Sequence, residues 1–249
     1  MLNTQKINMK INRFWSVSFA LLMGFLPQPS FAAFEQCHDL FPNSQIPASQ
    51  ERGRDLCFDG FAVYYSPTQK KPIYTAEVLS RQHLAEAPQE RTNQFYEEAR
   101  LPAAERSHLD DYRGSGFDRG HNSEAATKRT PESMAESFSL ANMAPQAPDF
   151  NRGIWAKDVE KATRKYAQRA NGSVFVFTGT TGNAGTIGRG RVVVPQYFFK
   201  LVYDQSSNRA WAYWLPNTND AHMSREAIIS YQELVQRTGI DFKIGNPSR

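Results

Sequence analysis

Short runs crowded with aromatic and β-branched residues recur along this 249-residue chain and limit it to folds built around a sheet. Residues 58–65 (Phe58-Asp59-Gly60-Phe61-Ala62-Val63-Tyr64-Tyr65) read as a strand, 66–71 as a turn and 72–79 as a second strand, together a hairpin. Residues 137–143 form a short strand on this reading, and 173–178 a buried one. Residues 192–203 and 210–215 make a further pair across the turn at 204–209. Two stretches carry helical periodicity. In 151–170, Trp155, Val159, Ala162 and Tyr166 follow i, i+4, i+7 and i+11, one narrow apolar stripe. Residues 224–237 are amphipathic in the same way. Strands and helices mix without a regular βαβ rhythm, so the class is α+β. Residues 80–117 are polar and long for a connection, and long loops in compact domains are often functional.

The N-terminus reads as an address. Lys6, Lys10 and Arg13 precede an apolar run over 14–26, which is shorter than the roughly 20 residues of a spanning helix. Pro27 and Pro29 then break it, and Ser30-Phe31-Ala32 supplies small residues where a signal peptidase cuts. The expectation is a signal peptide over 1–32, an irregular arm over 33–56 and a catalytic-sized domain over 57–249. The protein would be exported, periplasmic or secreted, with no lasting membrane association once the leader is gone. Hydrophobic residues at 40% and charged residues at 22% are ordinary globular usage, which excludes disorder and a multi-span membrane protein. The net charge of +4 comes largely from the leader: removing its three bases from the 29 leaves 26 against 25 acids. A basic surface must therefore be local. Cys37 and Cys57 are the two cysteines, and in an exported chain they are expected to form a disulfide. With no CxxC or HExxH pattern, a structural zinc site has no support.

Chemistry concentrates around one histidine. His121 lies in Arg113-Gly114-Ser115-Gly116-Phe117-Asp118-Arg119-Gly120-His121-Asn122, where glycines allow tight turns and close approach to a ligand. In an extended segment residues 119 and 121 share a face. A guanidinium suited to phosphate then stands beside an imidazole that takes a proton near neutral pH. The same residues could equally be a glycine-rich turn with an Asp–Arg pair and an incidental histidine. A second cluster runs Asn142-Met143-Ala144-Pro145-Gln146, then Asp149-Phe150-Asn151-Arg152-Gly153-Ile154-Trp155. Here Asn151 is either a helix N-cap or an amide oxygen for a hard cation, and spacing does not separate the two.

Taken together, Asp118-Arg119-Gly120-His121, followed about 30 residues later by Asn151-x-x-x-Trp155, resembles the DNA/RNA non-specific endonucleases of the ββα-metal (His-Me finger) class. That class includes the sugar-non-specific nucleases and endonuclease G. Flanking pieces agree, among them Asn142-x-x-Pro145-Gln146, Phe177-Thr178-Gly179 and Val194-Pro195-x-x-Phe198-Phe199-Lys200, and the similarity covers roughly 57–240. The resemblance implies a ββα-metal core with a central, mostly antiparallel sheet flanked by helices. It implies a general base at His121 and a Mg²⁺ ligand at Asn151, with Mn²⁺ or another divalent cation as an alternative. Arg119 would add positive charge, Asp118 would be a supporting acid, and Arg91 resembles a family arginine upstream of the motif. DNA and RNA would be the substrates, and an inhibitor protein stays unidentified.

One position departs from the family. A Glu is expected eight residues after the metal-binding Asn, to support the cation's hydration shell, but that position is Val159. Glu160 lies nine after and keeps the four-residue spacing to Arg164. On a straight α-helix nine residues point Glu160 about 180° from Asn151 and leave Asp158 nearer. A π-bulge would restore Glu160, and Glu160 is preferred on that reading. Lys128, Arg129, Arg189 and Arg191 are candidate phosphate contacts. Two rival functions remain: a nucleic-acid-binding protein without catalysis, and a metal-dependent phosphoesterase for small substrates.

Overall fold

Alternation along the strands decides which side of the sheet each residue faces. In the computed structural model, which describes Met1 and residues 34–249, the sheet has seven antiparallel strands. The expected signal peptide, with its cut after Ala32, lies outside the described residues apart from Met1. In chain order the strands are β1 (Arg54–Phe58), β2 (Phe61–Ser66), β3 (Lys71–Leu79), β4 (Asp118–His121), β5 (Met143–Gln146), β6 (Val174–Thr181), β7 (Thr186–Ile187), β8 (Val192–Val193), β9 (Tyr197–Asp204), β10 (Arg209–Pro216) and β11 (Ile228–Ile229). The large sheet runs β1-β2-β3-β6-β9-β10-β11; β4–β5 and β7–β8 are separate two-stranded ladders.

On β6, Phe175 and Phe177 enter one apolar cluster while Val174 and Val176 enter the other. On β9 the same alternation sends Phe199 and Leu201 one way and Phe198 and Val202 the other. The first face is covered by Phe34, Leu40 and Phe41 from the N-terminal segment and by Leu234 and Phe242 from the C-terminal one. The second is covered by Phe150, Trp155 and Val159. Fully burying one such side chain contributes roughly 1.5–3 kcal/mol. The second face also carries polar and charged groups: Glu77, Thr178 and Lys200 share its parity and are buried, with Thr178 paired to Lys200 across β6 and β9.

Several boundaries differ from the sequence reading. The first strand begins at Arg54, inside the stretch read as an irregular arm, and Cys57 on it is bridged to Cys37. Residues 137–143 are not a strand. Leu140–Asn142 form a 3-10 turn and the strand is β5, because the Asn142 side chain bonds the backbone at Ser123 and Ser137 instead of leaving that segment extended. The 192–203 run is split into β8 and β9 around Pro195. The C-terminal helix is Tyr231–Thr238, opened by Ser230 accepting from the Glu233 N–H. Among the described residues no helix is long and apolar enough to cross a membrane.

The helix after β5 is composite. Pro148–Phe150 is α-helical, Asn151–Glu160 is π-helical and Lys161–Ala167 returns to α. Proline at the first helical position has no N–H to leave unpaired and a preset φ. The Lys161 N–H donates to the Ala156 carbonyl, five residues back, and Gly153 departs from helical geometry at φ −96°, ψ −110°.

Candidate active site

The hairpin β4–β5 and the composite helix together form a ββα unit. In register, Asp118 faces Gln146, Gly120 faces Ala144 and His121 faces Met143. Gly120 is required for contact: a Cβ there would overlap the Gln146 side chain, with the Gln146 Cβ only 2.6 Å away. The left-handed turns fall on Gly114 and Gly116, at φ 65° and 81°.

His121 is wedged between two rings. Its imidazole lies 4.9 Å from Phe138, edge to face, and 5.9 Å from Phe95. Nε2 is buried and has no hydrogen-bond partner among the described residues. Burial, reinforced by Arg91 and Lys128, pushes the imidazole down to about 3, so the ring is neutral at pH 7. The same two phenylalanines hold both arginines. The Arg119 guanidinium sits 4.2 Å over Phe95, and that of Arg91 sits 5.0 Å over Phe138. Arg119 and His121 thus share one face of β4, as extended backbone requires. Beside them a cavity of about 600 Å³ is lined by Asn93, Phe95, Tyr112, Phe117, Asp118 and Arg119.

Asn151 is inside the helix, not at its cap: its N–H donates to the Ala147 carbonyl, and Ala147 is the N-cap. Its Nδ2 donates to Asp118 Oδ2 at 2.9 Å, while Arg152 donates to both Asp118 oxygens at 2.8 and 2.5 Å. A carboxylate can only accept, so this bond fixes which end of the amide faces Asp118 and turns Oδ1 away. Among the described residues no cluster of three His, Cys, Asp or Glu stands ready to hold a metal. A cation at Asn151 Oδ1 would therefore keep most of its water, which suits a hard, reluctantly dehydrated ion.

The π segment changes the direction in which Glu160 points. A π-helix has about 4.4 residues per turn, so nine residues close two turns and bring Glu160 back to the Asn151 side. Asp158 is exposed, whereas Glu160 is partly buried. Burial first, then the neighbouring Glu124, pushes Glu160 up to about 8, with Lys200 and Arg164 pulling the other way. Arg164 makes an ion pair with Glu124.

Sequence reasoning missed Phe95, Phe138, Glu124 and Glu77, and met Lys200 only as part of a flanking motif. It also misplaced Lys128, which is buried and ion-paired to Glu77 at 3.0 Å, with Ser123 and Thr127 completing its bonds. The Lys128 ammonium therefore faces the interior and does not meet a phosphate at the surface. Arg129 is exposed, 3.7 Å from Glu86. Arg189 and Arg191 are exposed on a loop pinned by Gly190 N–H donating to Asp111 Oδ1 at 2.6 Å. A lysine two strands away in register, or a glutamate three residues past a histidine, carries no periodic mark that would have singled it out.

The model of the DNA/RNA non-specific endonuclease family matches residues 42–248, and the chain belongs to that family. The family is hydrolytic and uses a divalent metal. The chain is 33% identical over 183 residues to "Nuclease 1, mitochondrial" of Schizosaccharomyces pombe, covering 64% of this chain and 55% of that one. It is 32% identical over 157 residues to "Endonuclease G, mitochondrial" of Homo sapiens, covering 58% and 52%. A Nostoc sp. nuclease is 30% identical over 196 residues, covering 73% and 70%. The chain thus spans about half the length of the first two of these relatives. Its fold is similar to a chain in the crystal structure of the EndoG/EndoGI complex, with a TM-score of 0.69 at 24% identity over 77% of this chain and 86% of that one. The relatives from S. pombe and Homo sapiens are named as mitochondrial, and this overturns the expected periplasmic or secreted location.

Proposed function

We propose that this chain is an endonuclease that hydrolyses phosphodiester bonds of DNA and RNA with little sequence preference, using Mg²⁺ held at Asn151. The observation that carries the reading is a neutral, unpaired imidazole on the strand whose first residue, Asp118, orients the Asn151 amide. Membership of the family supports the same reaction class.

In this reading His121 is the general base and takes a proton from the attacking water through a ring nitrogen. At pH 7 the ring is unprotonated and its Nε2 has no other partner among the described residues. Arg119, stacked on Phe95, offers its N–H groups to a non-bridging phosphate oxygen, and Arg91, over Phe138, adds positive charge. Asp118 holds the Asn151 side chain so that Oδ1 faces outward. Glu160 and Arg164 stand on the same helix, where they would hold the water bound to the cation. The bound cation would supply charge stabilisation for the phosphoryl oxygens and the leaving oxygen. Mn²⁺ would fill the same role.

Plasmid DNA and a structured RNA, incubated with Mg²⁺ or with chelator, test the reading. Wild type is expected to degrade both only with metal, and His121→Ala to lose activity by 100-fold or more, of the order general-base catalysis contributes, about 10²–10⁴-fold. Intact plasmid beside a cleaved nitrophenyl phosphate would instead mark a small-substrate phosphoesterase, and full activity of His121→Ala would remove the assigned base.

A further inference from the structure

Three residues beyond His121, a buried carboxylate crosses from the hairpin to the helix. Glu124 is 3% exposed and pairs with Arg164 Nη1, four residues along the helix from Glu160. Its other oxygen, Oε1, is buried without a hydrogen-bond partner among the described residues. Its backbone has no freedom to drift. Thr127 donates to the Glu124 carbonyl from N at 3.3 Å and from Oγ1 at 2.9 Å. Just before it, the Asn142 side chain accepts from Ser123 N–H at 2.9 Å and donates to the Ser123 carbonyl at 2.8 Å. Glu160, Lys200, Glu77 and Lys128 are the other charged groups around it. A buried carboxylate with one unpartnered oxygen carries a desolvation cost that its ion pair repays only in part.

Resting on the nuclease reading above, we propose that Glu124 is a positioning residue: by clamping Arg164 it fixes the helix that bears Asn151, Glu160 and Arg164 against the hairpin that bears His121. In this proposal Glu124 meets neither substrate nor cation. It acts through the Arg164 guanidinium, whose reach toward the phosphate is set by the clamp. Losses on removing such supporting partners are typically about 10–100-fold.

The test uses the full chain as Glu124→Gln, Glu124→Ala, Arg164→Ala and the Glu124→Gln/Arg164→Ala double variant. Glu124→Gln, which keeps the reach and loses the charge, is expected to lower kcat about tenfold with KM within about threefold, and Glu124→Ala to lower it further. In the Arg164→Ala background the Glu124→Gln change should alter kcat by less than about twofold, because contacting residues acting as one unit are not additive. Thermal unfolding of Glu124→Gln should match wild type to within a few degrees. Crystal structures supply a readout free of activity: Arg164 should leave its wild-type position in Glu124→Ala. Unchanged kcat, additive losses in both backgrounds, or an unmoved Arg164 would each overturn the proposal. A wild type that cleaves no nucleic acid would sink the nuclease reading instead, and the position of Arg164 would still decide whether Glu124 is a clamp.

Discussion

The depressed imidazole makes a stability prediction that needs no substrate. His121 titrates at about 3 in the folded protein, against about 6.5 in an unfolded chain. Between those values the unfolded state binds one more proton than the folded state. Stability from this group is therefore fully present above about 6.5 and falls as pH drops toward about 3. The slope is about 1.4 kcal/mol per pH unit, and integrating from pH 7 to pH 5 gives a loss of about 2 kcal/mol. The perturbation is His121→Asn, which removes the titrating group and keeps a polar planar side chain. Urea unfolding of wild type and variant at pH 7.0 and 5.0 gives four free energies. Glu160, pushed up to about 8, and the other carboxylates titrate in both proteins and largely cancel in the difference. The stability advantage of wild type over His121→Asn should shrink by about 2 kcal/mol on going to pH 5. A difference constant to within about 0.5 kcal/mol would refute the claim that burial holds this imidazole neutral, since independent changes add to within that margin.

Deleting Gly153 should return 151–160 to α-helical spacing and leave Glu160 eight residues after Asn151, still on its side. Nuclease activity is expected to stay within about tenfold of wild type, while Glu160→Gln loses about 10–100-fold; a dead deletion with an intact fold would contradict the π-segment argument. Gly120→Ala forces a Cβ into Gln146 and should lower stability by about 1–3 kcal/mol, read by urea unfolding. Asp118→Ala frees the Asn151 amide to flip. It should raise the Mg²⁺ concentration needed for half-maximal activity by about 10–100-fold. Reducing the Cys37–Cys57 bond, which closes a loop of 20 residues' separation, should cost about 3 kcal/mol and lower the melting temperature.

The elements that announce themselves in a sequence do so through period and composition. The β6 run Val174-Phe175-Val176-Phe177 was legible because both sheet faces are apolar there, and the cysteine pairing because only one partner exists. The ββα residues were legible through resemblance, since Asp118-Arg119-Gly120-His121 has no period of its own. The π segment was foreseeable only as an alternative: the stripe Trp155, Val159, Ala162, Tyr166 fits an α-helix equally well, and one extra residue changes the spacing without changing the pattern. The reading of Lys128 failed for a different reason. A lysine near a catalytic motif looks like a phosphate contact until a glutamate 51 residues earlier, Glu77, is brought beneath it by the sheet. Phe95 and Phe138, which hold the imidazole and both arginines, come from irregular segments where nothing in the order of residues marks a shared surface.

The ladder that bears His121 is not part of the large sheet; among the described residues the main-chain strand pairing of β4 is to β5 alone. Opening this hairpin breaks few main-chain bonds and leaves all seven central strands paired. Sub-global opening of this kind lies well below the cost of melting the whole domain. On heating, the proposed nuclease activity should therefore be lost before the domain unfolds, and the amides of residues 119–121 should exchange with deuterium sooner than those of β6 and β9.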